Sequence, residues 1–399
     1  MEKSIIKARG KNDLAAIMLT SIFMNGFETG GYQAALLYIA HTYYMSIGTQ
    51  GVMASIELFA TMIAPVIFGR LADKVGKKKV LMLFTLCRAV SGMVIIVAAS
   101  KILFAIGIFW LGFATSIIQC VAIAGIDDAY PQTAHKKMGI TTAMYAFGAL
   151  TAPLIVGIVI KAVGSWKAFF AVDVIISLLL ILSMLITSFA PREERKDIFE
   201  ARGEVNAAKI NVYGVVLLCL IMFIYVGVEN GVGFFLNGFF RDCIGSERGY
   251  LALSIFWFAM IPSRILCGFL TSHRKIMLTV APAGAAVMLV ALAGVTIEFP
   301  AFLTVFILGI FCGAVYPNVL TYAADFSGMW TATVIAAITV ATGVGGTLAT
   351  AAFGFLTEAF GYKGGFIILA MIIAIDVIFA VLVVKKKSKT GDQLYERMH

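Results

Sequence analysis

The sequence predicts an all-α polytopic membrane protein, with twelve transmembrane helices arranged as two pseudosymmetric six-helix bundles. Three observations lead there. The composition is too apolar for a water-soluble fold, the chain divides into twelve separable apolar segments, and its second half reads as a copy of its first.

Of 399 residues, 61% are hydrophobic and only 13% are charged, and the mean hydropathy is +0.96. A soluble domain is nearer half apolar and a quarter charged, and no soluble fold of this size has interior enough to hide so much apolar surface. A bilayer accepts it, at about 20 apolar residues per crossing. The net charge of +9 does not point to nucleic acid, because the basic residues cluster between apolar segments instead of forming one basic domain. The six cysteines are scattered and form no CxxC, which supports neither a disulfide framework nor a zinc site. Phosphate-loop, HExxH and GxSxG motifs do not occur, so ATP-driven pumping and intramembrane hydrolysis lack their residues. The expectation is a protein that is no enzyme and holds no cofactor or metal.

The apolar segments run roughly 13–38, 48–69, 79–99, 102–126, 138–161, 167–190, 210–236, 249–271, 275–296, 299–323, 330–357 and 364–385. Each must be helical in hydrocarbon, since only a helix satisfies its own backbone hydrogen bonds within one segment. The start, MEKSIIKARGKND, is basic and enters the first apolar stretch at Leu14 without a small-residue cleavage site, which reads as a retained helix. The deepest break in hydropathy is Pro191 to Lys209. It separates an N-terminal bundle, 1–190, from a C-terminal bundle with a basic tail, 210–399, leaving 191–209 as a cytoplasmic linker. With the N-terminus inside, 23 of the 31 Lys and Arg residues fall on the cytoplasmic side and six outside, while Arg88 and Arg264 stay within spans. That asymmetry obeys the positive-inside rule and places both termini in the cytoplasm of a cell carrying this protein in its inner or plasma membrane.

The repeat is legible in glycines. At a shift of 197 residues, Gly112, Gly148, Gly157 and Gly164 fall on Gly309, Gly345, Gly354 and Gly361, and Asp128 falls on Asp325. Glycine is 38 of 399 residues, so chance would give about one such match or fewer across this stretch. Near a shift of 201, Gly26-Phe27-Glu28-Thr29-Gly30 falls on Gly227-Val228-Glu229-Asn230-Gly231. Parallel repeats of this kind recur in transporters, with the site near the midplane. The glycines themselves suit close helix packing better than ligand contact.

After the second apolar segment comes Gly69-Arg70-Leu71-Ala72-Asp73-Lys74-Val75-Gly76-Lys77-Lys78-Lys79. This stretch resembles the loop signature of the major facilitator superfamily, and with the spans and the repeat the resemblance covers essentially the whole chain. It implies the major facilitator fold, alternating access, and a cytoplasmic gate drawn from Gly69, Asp73, Lys74, Gly76, Lys77, Asp128 and Asp325. A finer resemblance links Tyr225 to Glu229, Trp257 to Gly268, and Tyr316-Pro317-Asn318 to the fucose-permease-type sugar transporters. Asp127 and Asp128 stand where those carriers have an asparagine.

Glu28 lies 14 residues past Leu14, roughly 21 Å along a helix and so near mid-bilayer. Glu229 lies deep in the seventh segment. A charge there costs about 2.5–3.5 kcal/mol on insertion scales, so intramembrane acids are rare and default to function. Both are candidates for proton coupling or for substrate, against the plainer role of neutral packing carboxyls. Asn25, Gln33, Gln119, Asn230, Tyr316 and Asn318 offer amides and a phenol to a solute, or else hydrogen bonds between helices. Trp257 could stack on a sugar ring or pack in the core. Arg264 suits a carboxylate substrate or braces an inner gate, and Arg88 reads as structural. Glu57, Asp173 and Asp376, nearer helix ends or on helices that are peripheral in the superfamily, rank lower. The expectation is therefore a proton-coupled secondary active transporter of a small solute, working as a monomer in the lipid bilayer. Organic-anion uptake through Arg264, drug efflux, and a transporter-like receptor are the alternatives.

Overall fold

Hydrocarbon length and turn chemistry account for the elements. In the computed structural model the backbone is described over residues 2–68, 75–129, 134–187, 210–270, 273–327 and 331–398. Eleven α-helices run in order among them: α1 Glu2–Thr42, α2 Ile47–Phe68, α3 Lys77–Val97, α4 Lys101–Ala129, α5 Ala134–Val163, α6 Lys167–Ile186, α7 Val212–Phe239, α8 Gly249–Phe269, α9 Arg274–Gly294, α10 Glu298–Ser327 and α11 Thr331–Met398. A π-helical turn, Phe240–Ile244, prolongs α7. The 191–209 segment and the motif residues Gly69, Asp73 and Lys74 lie outside the described residues, as does the side chain of Asp128.

The structure differs from the expected spans at the start of the chain. The first helix extends back to Glu2. The eleventh and twelfth segments are joined end to end in α11, which breaks at Gly361 with φ 69 and ψ 169. Among the described residues ten helices are long and apolar enough to cross a membrane, with the two arms of α11 together counted as one of them. Helix α1 falls outside that set, because polar residues and glycines dilute its apolar run. The outward side chains are apolar, including Ile102 at 71%, Ile186 at 80% and Phe299 at 77% exposure. Water would not tolerate so extensive an apolar surface, and lipid does.

The chain forms two compact units. The first comprises Met1–Met45 and Met53–Val205, and the second comprises Ser46–Val52 and Asn206–His399. Equivalent glycines do the same work in each. A Cβ at Gly148 in α5 would lie 2.0 Å from the Phe23 carbonyl of α1, and one at Gly345 in α11 would lie 2.1 Å from the Phe223 carbonyl of α7. Gly112 in α4 meets the backbone of Glu57 in α2, as Gly309 in α10 meets that of Phe256 in α8. Gly164 and Gly361 both take the left-handed conformation, at φ 70 and φ 69, which stops α5 and the first arm of α11 at matching places. Close approach and helix termination thus explain the glycine repeat.

The core of the first unit is built by α1 to α4 and α6. Ile17, Ile22, Ala60, Phe84, Phe113 and Ile117 are buried together, with Phe68 packing edge-on against Phe84 and Phe113 at 5.8 and 5.6 Å. This packing holds five helices around the polar residues that they carry toward one another.

Candidate functional site

In the first unit those residues form a buried charged network. Arg88, from the middle of α3, is 1% exposed and Asp173 of α6 is fully buried. Arg88 donates from Nη2 to Asp173 Oδ1 at 2.5 Å and from Nε to Oδ2 at 3.2 Å. The fork geometry of guanidinium on carboxylate makes this the strong type of pair. Arg88 also donates to the Met24 carbonyl at 2.6 Å and to Asn25 Oδ1 at 3.0 Å. Asn25 in turn donates to the Thr115 carbonyl of α4 at 2.9 Å.

Two more carboxyls complete the network. Glu28 is fully buried on α1, and Thr115 Oγ1 donates to its Oε2 at 3.4 Å. Glu57 is 2% exposed, half-way along α2. Glu28 Oε1 and Glu57 Oε2 are buried without a hydrogen-bond partner.

The second unit holds a smaller and more accessible cluster. Tyr225 and Glu229 are one helical turn apart on α7, and Tyr225 Oη donates to Glu229 Oε1 at 3.0 Å. Arg264 of α8 donates from Nη2 to the same oxygen at 3.2 Å, the two side chains being 11% and 13% exposed. The Arg264 guanidinium also lies 5.8 Å from the centre of the Trp257 ring. At the end of α10, Arg274 pairs with Asp325 at 3.0 Å and covers the Tyr322 ring at 5.1 Å. Its equivalent at the repeat shift, Lys77, donates from Nζ to the Ala124 carbonyl of α4 at 2.7 Å. A cation from the start of the third helix of each bundle thus reaches the end of the fourth, where the helix dipole favours positive charge. Gly76, at φ 100, starts α3, a backbone conformation that glycine adopts without strain.

Several expected solute contacts turn out to be committed within their own unit. The Asn25 amide is taken up at both ends by Arg88 and Thr115. Asn230 donates to the Val226 carbonyl at 3.0 Å, and Asn318 donates to the Ala314 carbonyl at 2.8 Å and to Cys267 Sγ at 3.4 Å. Gln33 is 1% and Trp257 3% exposed, while Gln119 and Tyr316 remain half-buried. Asp173 and Glu57, which ranked lower from the sequence, stand in this network beside Arg88, which read as structural. A signal was available: an arginine in mid-span needs a buried counter-ion, and the same half contains three in-span acids. In the second unit Asp376 is fully buried, and neither carboxyl oxygen has a hydrogen-bond partner.

The comparisons with known proteins bear on this arrangement. The family model of the Major Facilitator Superfamily matches residues 18–349. The chain belongs to that superfamily. It is accordingly a multi-pass membrane protein and a secondary transporter, not an enzyme. Among solved structures it is similar to a D-xylose-proton symporter, with a TM-score of 0.76 and 13% identity over 92% of this chain and 96% of that one. It is also similar to the E. coli fucose:proton symporter, with a TM-score of 0.60 and 17% identity over 93% and 97% of the two chains. At these identities the likeness establishes the major facilitator fold. A curated relative, the glucose transporter GlcP of Staphylococcus epidermidis, is 22% identical over 186 residues, 46% of this chain. The match spans only 41% of that transporter's length.

Proposed function

We propose that this carrier moves a neutral monosaccharide, or a similar polyhydroxyl solute, together with a proton. Glu28 is the proton site, and the Glu229–Arg264 pair with Tyr225 is the main polar contact for the solute. The observation that carries this reading is the 3.2 Å pair itself. A guanidinium already balanced by a carboxylate offers a carboxylate substrate no net charge, which disfavours the organic-anion alternative. The same pair presents donors and an acceptor side by side, which suits vicinal hydroxyls. The names of the similar structures, one a D-xylose-proton and one a fucose:proton symporter, agree with a sugar and with a proton. The glucose transporter among the curated relatives agrees with a sugar.

Glu28 takes the proton in this reading because it is a fully buried acid that forms no ion pair among the described residues. A carboxyl held in apolar surroundings binds a proton when one side of the membrane has access and releases it when the other does. The test is uptake of labelled D-xylose, L-fucose and D-glucose into proteoliposomes under an inward proton gradient. At least one sugar accumulates above equilibrium, and a protonophore abolishes the accumulation. Equilibration without accumulation, sodium-driven accumulation, or no flux of any of the three would reject the proposal.

The lysine and arginine asymmetry places both termini and the 191–209 segment in the cytoplasm. A Lys196→Cys substitution in an otherwise cysteine-free protein should stay unlabelled by an impermeant thiol reagent in sealed cells. Strong labelling from outside would reverse the topology.

A further inference from the structure

We propose that Glu57 is a second proton-binding carboxyl, forming with Glu28 a buried pair that gains and loses protons as one unit against the fixed Arg88–Asp173 couple. This rests on the proton coupling proposed above and adds a residue to it.

The argument begins with charge. One buried cation, Arg88, faces three buried carboxyls, and the fork onto Asp173 commits it to one of them. Glu28 and Glu57 are left over. Each is almost wholly buried, and each keeps one oxygen without a hydrogen-bond partner. Two carboxylates cannot both remain ionised in an apolar interior with no further cation. Both lie against the same turn of α4, Glu28 on Thr115 and Glu57 against Gly112, so the protonation of one alters the cost of charging the other.

The surroundings fit a working pair. Around it, α1 supplies Glu28 and Tyr32, α3 supplies Arg88, and α6 supplies Asp173. The Tyr32 hydroxyl is electrostatically coupled to both glutamates. Helix α4 contributes Thr115, which donates to Glu28, and Gly112, which is uncharged. A Cβ at Gly112 would stand 2.9 Å from Glu57 Cγ and 2.7 Å from its carbonyl oxygen. The glycine therefore makes the room in which the Glu57 side chain lies. At the matching place in the other unit, Gly309 faces the backbone of Phe256, so the repeat supplies an apolar residue where this unit has an acid. Packing alone is satisfied by a phenylalanine there, which leaves the carboxyl of Glu57 to be explained by chemistry. The chemistry is minimal: one O–H bond forms when a proton arrives from water and breaks when it leaves.

The experiment follows the protonated-carboxyl stretch by infrared difference spectroscopy as pH is stepped over the reconstituted protein, without substrate. The wild type should lose the signal in two steps. Glu57→Gln should remove one step and move the survivor by more than about one pH unit, the threshold at which two sites titrate as a pair. Glu28→Gln should do the reciprocal, so either variant decides the matter if the other fails to fold. Glu57→Gln should also abolish proton-driven sugar accumulation while leaving exchange of sugar at equal concentrations measurable. The pair is overturned if the surviving step stays where it was in both variants. It is equally overturned if Glu57 remains protonated at every pH, or if sodium at constant pH displaces the signal. Because the spectroscopic arm needs no substrate, coupled steps without sugar flux would reject only the sugar assignment. Driven sugar uptake with uncoupled steps would reject only the pair.

Discussion

Replacing Asp173 by asparagine should leave little folded protein in the membrane. The substitution keeps the shape of the side chain and removes the charge that Arg88 grips at 2.5 and 3.2 Å. Arg88 cannot discard its proton, and at 1% exposure it cannot reach water. Breaking a buried pair from one side costs about 3–5 kcal/mol, because the uncompensated charge remains. Stabilities of whole domains are about 5–15 kcal/mol, so a loss of this size is a large fraction of what holds the first unit together. The measurement is the yield and melting temperature of the purified protein by fluorescence-detected size exclusion. Removing both partners, as Arg88→Met with Asp173→Leu, should recover most of the folded yield. No charge is then stranded, and apolar side chains of similar volume often replace such a pair without loss. Equal yield for wild type and Asp173→Asn would show that the pair does not carry the fold.

Glu28→Gln should have the opposite signature, a normal fold with no driven transport. Glutamine keeps the hydrogen bond to Thr115 Oγ1 available but has no proton to release. Accumulation under a proton gradient should fall to the equilibrium level, whereas exchange of labelled for unlabelled sugar, which needs no net proton movement, should survive. Glu229→Gln should behave differently. It removes the negative charge that balances Arg264 and leaves a neutral amide oxygen to accept from Tyr225 and Arg264, so apparent affinity for the sugar should weaken along with both modes of transport. The two acids occupy matching places in the repeat, yet the structure separates them: one is fully buried with a free oxygen, and the other is partly accessible and paired.

That separation marks the limit of what was legible in the sequence. Spans, repeat and superfamily follow from hydropathy and from Gly112, Gly148 and Gly164, because lipid allows one kind of secondary structure and close helix packing allows few residues. The depth of Glu28 and Glu229 also follows from counting along helices. The partners do not. Pairing between α3 and α6 depends on which faces the helices turn toward each other, and the local pattern is weak when every face is apolar. Asp173 therefore looked peripheral, only six residues into its helix, although it holds Arg88. Asn25 looked like a solute contact because it offers an amide within the first span, and in the structure that amide accepts from Arg88 and donates to the Thr115 carbonyl.

The central claim is that the solute and a proton cross together, with Glu28 carrying the proton. Proteoliposomes loaded with a fluorescent pH reporter test it most directly, with D-xylose, L-fucose or D-glucose added outside at equal pH and clamped membrane potential. The account predicts that a transported sugar acidifies the lumen of wild-type vesicles, and that Glu28→Gln vesicles show no acidification while still exchanging that sugar. Sugar entry without acidification in the wild type, or equal acidification in both proteins, would contradict it.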